Sequence, residues 1–239
     1  MSSQARRDEL AANLAEVDAR IASAARAAGR DAGEVTLVVV TKTWLASDVA
    51  LLAELGVTDV GENRDQEAAP KAAALPALLP SAVVAPHWHF VGQLQTNKVR
   101  SVAQYADVVE SVDRPRLVTA LDRAATEAGR RIRCLLQVAL DDDPGRGGAR
   151  ADEVPGLADL VAGSASLQLS GVMAVAPLGE DPDAAFARLA GVAQRLRRDH
   201  PEATTVSAGM SDDLEQGIRH GATQVRVGRA VLGHRPPVG

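Results

Sequence analysis

The chain has 239 residues, of which 46% are hydrophobic and 24% charged, an ordinary composition for one barrel or two small domains. Its formal net charge of −5 argues against a nucleic-acid-binding protein, and no apolar run is long enough to span a membrane. Residues 1–9 have no apolar stretch typical of a signal peptide. The single cysteine, Cys134, lies in an apolar run, so we expect a buried, unreactive thiol and a cytoplasmic protein.

Taken in order, the chain begins with a predicted helix at residues 4–29, followed by alternating strand-like and helix-like segments. The strands are predicted to begin near Val35, Val57, Trp88, Asp107, Ile132, Leu167, Thr204 and Gln224. The helices between them are predicted at residues 47–55, 64–74, 96–103, 114–128, 150–162, 183–198 and 211–220. This alternation predicts an α/β fold, a single (β/α)8 TIM barrel with an extra N-terminal helix, over residues 1–239. A doubly wound open sheet is the alternative.

Two segments interrupt the alternation. Residues 75–86 contain three prolines among small apolar residues, so we predict a surface connection there. Residues 141–148 follow the fifth strand and are predicted to form a flexible turn. Neither segment reads as a domain boundary.

The first strand, an almost unbroken apolar run, leads into Lys42. Such a run is typical of a strand that is buried on both faces, and α/β folds place their chemistry at the carboxyl ends of such strands. Burial lowers the pKa of a lysine, and a free amine attacks an aldehyde to form a Schiff base. The alternative is a lysine whose charged end only reaches the rim of the barrel.

Small residues follow the seventh strand, namely Ser207, Gly209 and Ser211, and Gly228 ends the eighth. Barrels often bind phosphate between these two strand ends, where small residues leave backbone N–H groups accessible. Arg226 lies between two valines in the eighth strand, so its guanidinium requires a partner or a polar pocket. A structural ion pair is the alternative for this arginine.

Two aspartates, Asp212 and Asp213, would repel a phosphate at the tip of the following helix. We therefore place the anion beside the two glycines and expect both carboxylates to face solvent. Alternatively, Ser211 is a plain N-cap of that helix, with Gly221 at its C′ position.

Polar or flexible side chains also mark three other strands. Asn63 follows the second strand and either lines a pocket or caps the next helix. In the third strand, His89 is predicted to face away from Trp88 and Phe90, and such a histidine is more often a satisfied core residue than a catalyst. Met173, in the sixth strand, is typical of packing.

Together, a lysine after strand one, a phosphate cradle after strands seven and eight, and an arginine between them describe a pyridoxal phosphate site. Lys42 would hold the aldehyde carbon, and Arg226 would face the pyridine nitrogen. The phosphate would lie against Gly209, Ser211 and Gly228. Because arginine does not give up its proton, that nitrogen would stay unprotonated and the ring would be a weaker electron sink.

Several motifs occur in a fixed order, at residues 40–43, 61–67, 88–92, 111–113 and 207–228. They closely resemble the pyridoxal phosphate homeostasis protein family, and the resemblance runs from about residue 5 to residue 234. It implies a barrel like the amino-terminal domain of alanine racemase and pyridoxal phosphate on Lys42. It also implies a role in vitamin B6 and amino-acid homeostasis, with no firmly established turnover.

The resemblance also assigns further cofactor contacts and shows departures from the family pattern. The implied contacts are Asn63, His89, Met173, Ser207, Gly209, Ser211, Arg226 and Gly228. Arg229 stands beside the expected phosphate where a small hydroxyl residue is common, so a hydroxyl donor is lost and a cation is gained. Leu45 replaces a usual proline, and Arg146 replaces a typical lysine.

Two other functions stay open. A pyridoxal phosphate-dependent amino-acid racemase needs two bases on opposite faces of the substrate carbon. The second base of alanine racemase is a tyrosine from another domain, whereas the only tyrosine here, Tyr105, is predicted to lie away from the pocket. A barrel that binds another phosphorylated metabolite is the third reading. We expect a monomer, with pyridoxal phosphate-dependent apo-enzymes as candidate partners.

Overall fold

A computed structural model describes residues 3–141, 143 and 146–233. Within these residues, eight parallel strands close into a barrel in chain order, so the predicted TIM barrel is confirmed and the open sheet is wrong. The strands are β1 (Thr36–Val40), β2 (Asp59–Glu62), β3 (His87–Phe90), β4 (Val108–Val112), β5 (Ile132–Gln137), β6 (Leu167–Met173), β7 (Thr205–Ser207) and β8 (Gln224–Val227).

Helices connect the strands around the outside of the barrel. In the described part of the chain they are α1 (Ser3–Ala27), α2 (Ala46–Glu54), α3 (Asp65–Leu78), α4 (Val99–Val102), α5 (Pro115–Glu127), α6 (Val154–Ala162), α7 (Pro182–Asp199), α8 (Leu214–Arg219) and α9 (Arg229–Leu232). Short 3-10 helices occupy Ala32–Glu34 and Thr96–Lys98, so part of the helix predicted at residues 96–103 has this tighter form. None of the described helices combines the length and apolar character that a membrane crossing requires.

Side chains along each strand alternate between the barrel interior and the helix layer. On β3, Trp88 and Phe90 pack in the outer apolar clusters, and His89 faces the interior, as predicted. On β8, Val225 and Val227 pack outward, which leaves Arg226 facing the interior. The alternation therefore makes the face of the sheet that packs against the helices apolar, and it makes the interior of the barrel partly polar.

The extra N-terminal helix packs beside β1 and β8. Its buried residues Leu10, Leu14, Val17 and Ile21 share a cluster with Val39, Val225 and Val227. Helix α8 has only six residues and so extends about 9 Å, too short to cover this part of the barrel wall. Helix α1 supplies the missing apolar cover.

The surface connection predicted at residues 75–86 is wrong for its first four residues, because α3 continues to Leu78. Two prolines, Pro70 and Pro76, lie inside this helix, and each removes one backbone donor. Leu75 is nevertheless 1% exposed and packs with Val60 and Trp88. Burial of this leucine favours the helix despite the prolines.

The turn predicted at residues 141–148 lies partly outside the described residues, which omit 142, 144 and 145. Beside that gap, Arg146 Nη2 donates to the carbonyl oxygens of Val175 and Ala176, at 3.3 and 2.9 Å. Cys134 is buried, as predicted, and burial raises the pKa of its thiol.

Candidate functional site

The strands that lead to the predicted site residues Lys42 and Gly228, β1 and β8, are neighbours in the barrel. Val38 pairs with Arg226 in the parallel ladder, and a Cβ atom on Gly228 would lie only 3.0 Å from the Val40 carbonyl oxygen. Lys42 lies two residues beyond Val40 in sequence. The carboxyl ends of the first and last strands thus bring Lys42 and Gly228 to the same side of the barrel mouth, above Arg226.

Lys42 itself is exposed, so of the two readings the structure shows the lysine that reaches the rim and not a buried one, and its role as the cofactor lysine stays a prediction. Strand β1 ends at Val40, and a turn carries Lys42 to the rim. Trp44 N donates to Thr41 O across this turn at 3.1 Å. The amine is therefore accessible to a ligand at the mouth.

Arg226 is buried and has the partners that the sequence required. Its Nη1 donates to Ser207 Oγ at 2.5 Å, and its Nη2 donates to Ala174 O at 2.8 Å. Nη1 also lies 3.8 Å from Oε2 of Glu110, so the ion-pair alternative is realised as well. Burial lowers the pKa of Arg226, against the opposing charges of Glu110 and Asp213.

Glu110 is the centre of a polar network inside the barrel, with no exposed surface. His89 Nδ1, Ser207 Oγ and Gln224 Nε2 each donate to this carboxylate at 2.7 Å. Burial alone would raise the pKa of Glu110, but the hydrogen bond and charge of His89, with smaller effects of Arg226 and Ser207, lower it. The carboxylate is therefore held ionised among these donors.

His89 lies between two carboxylates. Its Nε2 is 3.0 Å from Oδ1 of Asp59, opposite the contact to Glu110. Burial would lower the pKa of His89, but hydrogen bonds and charges of Asp59 and Glu110 raise it to about 8. His89 is thus a satisfied core residue inside the barrel, and its predicted contact with a cofactor stays a prediction.

The turn after β7 is shaped by Gly209, whose φ is +94°. A Cβ atom there would lie 2.9 Å from Leu214 Cα, so only glycine allows this approach of the turn to α8. Ser211 Oγ accepts a long hydrogen bond, 3.4 Å, from Ala230 N beside Gly228. The small residues predicted to form a phosphate cradle thus surround the joint between the ends of β7 and β8.

Two expectations for this turn are wrong. Helix α8 begins at Leu214, so Ser211 is not its N-cap, and the cap position belongs to Asp213. Asp213 is buried rather than turned to solvent, because Met210 N donates to its Oδ1 at 2.6 Å. Only Asp212 is exposed as predicted. Gly221 follows the helix with φ +89°, as the C′ prediction required.

Asn63 is exposed beside a cleft of about 510 Å³ between the segments that follow β2 and β3. It does not cap α3, since Arg64 occupies the N-cap position without a side-chain cap bond. A Cβ atom on Gly92 would lie 2.1 Å from Asn63 O, so this glycine permits the two segments to touch. The pocket-lining reading of Asn63 is the one the geometry favours.

Met173 faces the barrel interior and is 2% exposed. It packs with Val108 of β4 and Leu135 of β5. These three side chains form an apolar layer inside the barrel. Met173 is therefore a packing residue, as predicted.

Comparison with known proteins decides the family. The family model described as alanine racemase, N-terminal domain, matches residues 10–236. A pyridoxal phosphate homeostasis protein of Mycobacterium tuberculosis (strain ATCC 25618 / H37Rv) is 46% identical, over 96% of this chain and 94% of the relative. The chain belongs to the pyridoxal phosphate homeostasis protein family. A protein of the same name from Escherichia coli (strain K12) is 35% identical, over 95% and 97% of the two chains.

Solved structures of related proteins have the same barrel fold as this chain. PipY of Synechococcus elongatus, with pyridoxal phosphate bound, is 32% identical with a TM-score of 0.78, covering 94% of this chain and 100% of that chain. An alanine racemase of Corynebacterium glutamicum gives a TM-score of 0.65 at 18% identity and is covered over 62% of its length. The second likeness concerns the fold alone.

At two positions where this chain departs from the usual pattern of the homeostasis family, the structure shows what the new side chain does. Arg229 pairs with Asp212, and both side chains are exposed. The cation gained beside the expected phosphate is thus shared with a carboxylate in solvent. Leu45 occupies the N-cap position of α2 and is 71% exposed, so its apolar side chain packs little.

Three polar residues of this family member were missed in the sequence, namely Asp59, Glu110 and Gln224. Glu110 carried a usable signal, because it is a carboxylate inside the apolar strand β4, just as Arg226 is a cation inside β8. Two opposite charges in two apolar strands predict a buried pair. Gln224 and Asp59 lie at the starts of their strands and gave no comparable signal.

Proposed function

We propose that this chain binds pyridoxal 5′-phosphate and acts in the homeostasis of that cofactor and of amino acids, with Lys42 holding the cofactor as a Schiff base. The observation that carries the proposal is the placement of the lysines, of which the chain has three. Lys42 is exposed at the mouth, next to the strand that contains Arg226. Lys71 is buried against Glu62, and Lys98 lines the cleft between the segments that follow β2 and β3.

The residues around the mouth fit this cofactor. Lys42 supplies an accessible amine, and Arg226 supplies a guanidinium whose position is fixed by Ser207 and Ala174. Gly209 lets the turn after β7 approach α8, and Gly228 lets the end of β8 approach β1; a phosphate would lie beside these two turns. When bound, pyridoxal phosphate supplies an aldehyde and an electron-withdrawing ring.

The chain's own residues then have separate tasks. Lys42 would supply the amine for the covalent link, and Arg226 would donate a hydrogen bond toward the ring nitrogen without transferring a proton. Asn63, His89 and Met173 are proposed further contacts, together with Ser207, Ser211 and Arg229. Full-length similarity to PipY, whose structure contains pyridoxal phosphate, supports this assignment.

Borohydride reduction with peptide mass mapping tests the proposal directly. The protein is mixed with pyridoxal phosphate, reduced and digested, and we expect the label on the peptide that contains Lys42. An absorbance band at the border of the visible and near-ultraviolet regions should appear in the wild type and vanish in Lys42→Ala. Label on Lys71 or Lys98 instead would overturn the assignment, and absence of the band in wild type would favour another phosphorylated ligand.

The alternative of an amino-acid racemase requires a second base facing the first. The only tyrosine, Tyr105, stands edge-on to Trp88 on the outer side of β3, with its hydroxyl 3.5 Å from Asp65 Oδ1. Burial, with the Asp65 charge, raises the pKa of its phenol. We expect negligible racemisation; turnover of about one per second or faster, within the usual enzyme range, would instead support the racemase.

We also propose that the chain works as one barrel unit, as a cytoplasmic monomer, with pyridoxal phosphate-dependent apo-enzymes as recipients of the cofactor. Light scattering after size exclusion tests the monomer. Transfer of the cofactor from the loaded protein to an apo-enzyme, faster than from free solution at matched concentration, tests the recipient class.

A further inference from the structure

The turn that carries Lys42 has an unusual backbone. Thr41 O accepts from Trp44 N, so Lys42 and Thr43 are the two central residues of a β-turn. Thr43 has φ +71°, and it is the one residue other than glycine with a positive φ among those described. A β-branched side chain is strongly disfavoured there, because this turn position suits glycine or asparagine. Such strain persists only where surrounding structure imposes it.

Helix α3 and strand β2 hold both ends of this turn. Lys71 Nζ donates to Thr41 O at 2.9 Å and to Glu62 Oε1 at 2.7 Å. Thr41 Oγ1 donates to the same oxygen of Glu62 at 2.6 Å. At the other end, Thr43 N donates to Glu67 Oε2 at 2.7 Å. The residues on either side of Lys42 are therefore both fixed by charged side chains.

These contacts are costly to the fold. Glu62 and Thr41 are fully buried and Lys71 is 9% exposed, and a buried ion pair is seldom more stable than apolar residues of the same volume. Within the described residues, Oε2 of Glu62 has no hydrogen-bond partner. Burial raises the pKa of this carboxyl group, although the contacts with Lys71 and Thr41 oppose the shift. Stability alone does not account for this arrangement.

We propose that Glu62, Lys71 and Glu67 are positioning residues for Lys42, which hold its strained turn so that the amine projects from the rim in one fixed direction. They act on the outside of the barrel wall: Lys71 and Glu67 contact the backbone on either side of the lysine, and Glu62 binds Lys71 and the Thr41 hydroxyl. This inference rests on the proposed role of Lys42 as the cofactor lysine. It adds a second group of residues on which the covalent link depends.

Two ligands separate this role from a general structural one. Pyridoxal 5′-phosphate forms the covalent link, whereas pyridoxine 5′-phosphate has an alcohol in place of the aldehyde and reports the pocket alone. We expect Lys71→Met to weaken covalent binding of pyridoxal phosphate roughly tenfold, since misplacement of a reacting group is costly. Binding of pyridoxine phosphate should not change. Equal losses for both ligands, or no loss for either, would overturn the proposal.

Relief of the strain provides the complementary test. Glycine adopts φ +71° freely, so Thr43→Gly should restore most of the covalent binding in the Lys71→Met background. Arg123→Met is the matched control, because it removes an exposed cation paired with Glu127 on α5 and should bind both ligands as the wild type does. If Thr43→Gly does not restore covalent binding, strain in the turn is not the reason why Glu62, Lys71 and Glu67 hold it.

A variant near the surface keeps the test valid if Lys71→Met does not fold. Glu67→Ala removes the contact to Thr43 N without leaving a buried charge, and it should show the same selective loss of covalent binding. If both Lys71→Met and Glu67→Ala form the reducible adduct as wild type does, the positioning role is wrong. If the wild type itself forms no reducible adduct on Lys42, it is the proposed function that fails.

Discussion

Nδ1 of His89 and Oε1 of Glu110 lie 2.7 Å apart inside the barrel, and both side chains are almost completely buried. Asp59 accepts from the other ring nitrogen, so both nitrogens face carboxylates. Carboxylates only accept hydrogen bonds, and both contacts are satisfied together only when each ring nitrogen carries a hydrogen. The protonated imidazole and Arg226 then balance the charges of Asp59 and Glu110.

This relationship predicts a stability that falls with rising pH. The pKa of His89 is about 8 in the folded protein and 6.5 for an ordinary histidine. A raised pKa stabilises the fold fully below the unfolded value and is lost as pH rises through the folded value. We therefore expect about 2 kcal/mol of stability to be present at roughly pH 6 and absent at roughly pH 9.

Urea unfolding across this range checks the prediction, with NMR titration of the His89 ring as the direct measurement. The pH dependence should disappear in His89→Gln. His87, exposed and 3.5 Å from Asp59, is the matched control, and His87→Gln should keep most of the dependence. An unchanged profile in His89→Gln would show that other groups are responsible.

Substitution of two glycines with positive φ should cost different amounts of stability. Gly209 lies in the turn after β7, and Gly221 lies in the turn after α8. Gly221→Ala meets open space, so its cost is the backbone strain alone, about 1 kcal/mol. Gly209→Ala adds a Cβ atom 2.9 Å from Leu214 Cα, and we expect a loss of about 2 to 4 kcal/mol. Denaturant unfolding of both variants measures the difference. Equal losses would mean that the close approach of the turn to α8 relaxes without cost.

The barrel was predictable because its signals are local. Each strand is a short apolar run between helical segments, and alternation within β3 and β8 correctly set the directions of His89 and Arg226. Helix α3 beyond residue 74 was not predictable, because the burial of Leu75 against Trp88 is a tertiary contact that overrides the proline signal.

The site was predictable only in part, for the same reason. Lys42 and the glycines at the ends of β7 and β8 stand out in sequence, and the structure does bring those strand ends together. The network around Glu110 depends on which residues of β2, β3, β4, β7 and β8 lie at the same level inside the barrel. That register cannot be predicted from the sequence of any single strand. Likewise, the burial of Asp213 follows from its bond to Met210 N.

The single cysteine predicts a reporter of global unfolding. Cys134 is buried in the outer core, and burial raises the pKa of its thiol, so both access and thiolate formation are suppressed. We expect a thiol reagent to label the native protein at a rate that follows the unfolded fraction as urea is added. Because no other cysteine is present, the signal needs no mapping. Rapid labelling without denaturant would indicate local opening of the wall at β5.

The pairing of Glu110 with Arg226 predicts energetic coupling between two strands far apart in sequence. Arg226→Met leaves a buried carboxylate with one cation fewer, so we expect a loss of about 3 to 5 kcal/mol. Glu110→Gln keeps the size of the side chain but removes the charge that opposes Arg226 and His89. The double variant lacks both opposite charges, and it should be more stable than the sum of the single losses predicts, by about 1 to 3 kcal/mol. Urea unfolding of the four proteins gives this coupling energy. Additive losses would mean that Ser207, which donates to Glu110 and accepts from Arg226, screens the two charges from each other.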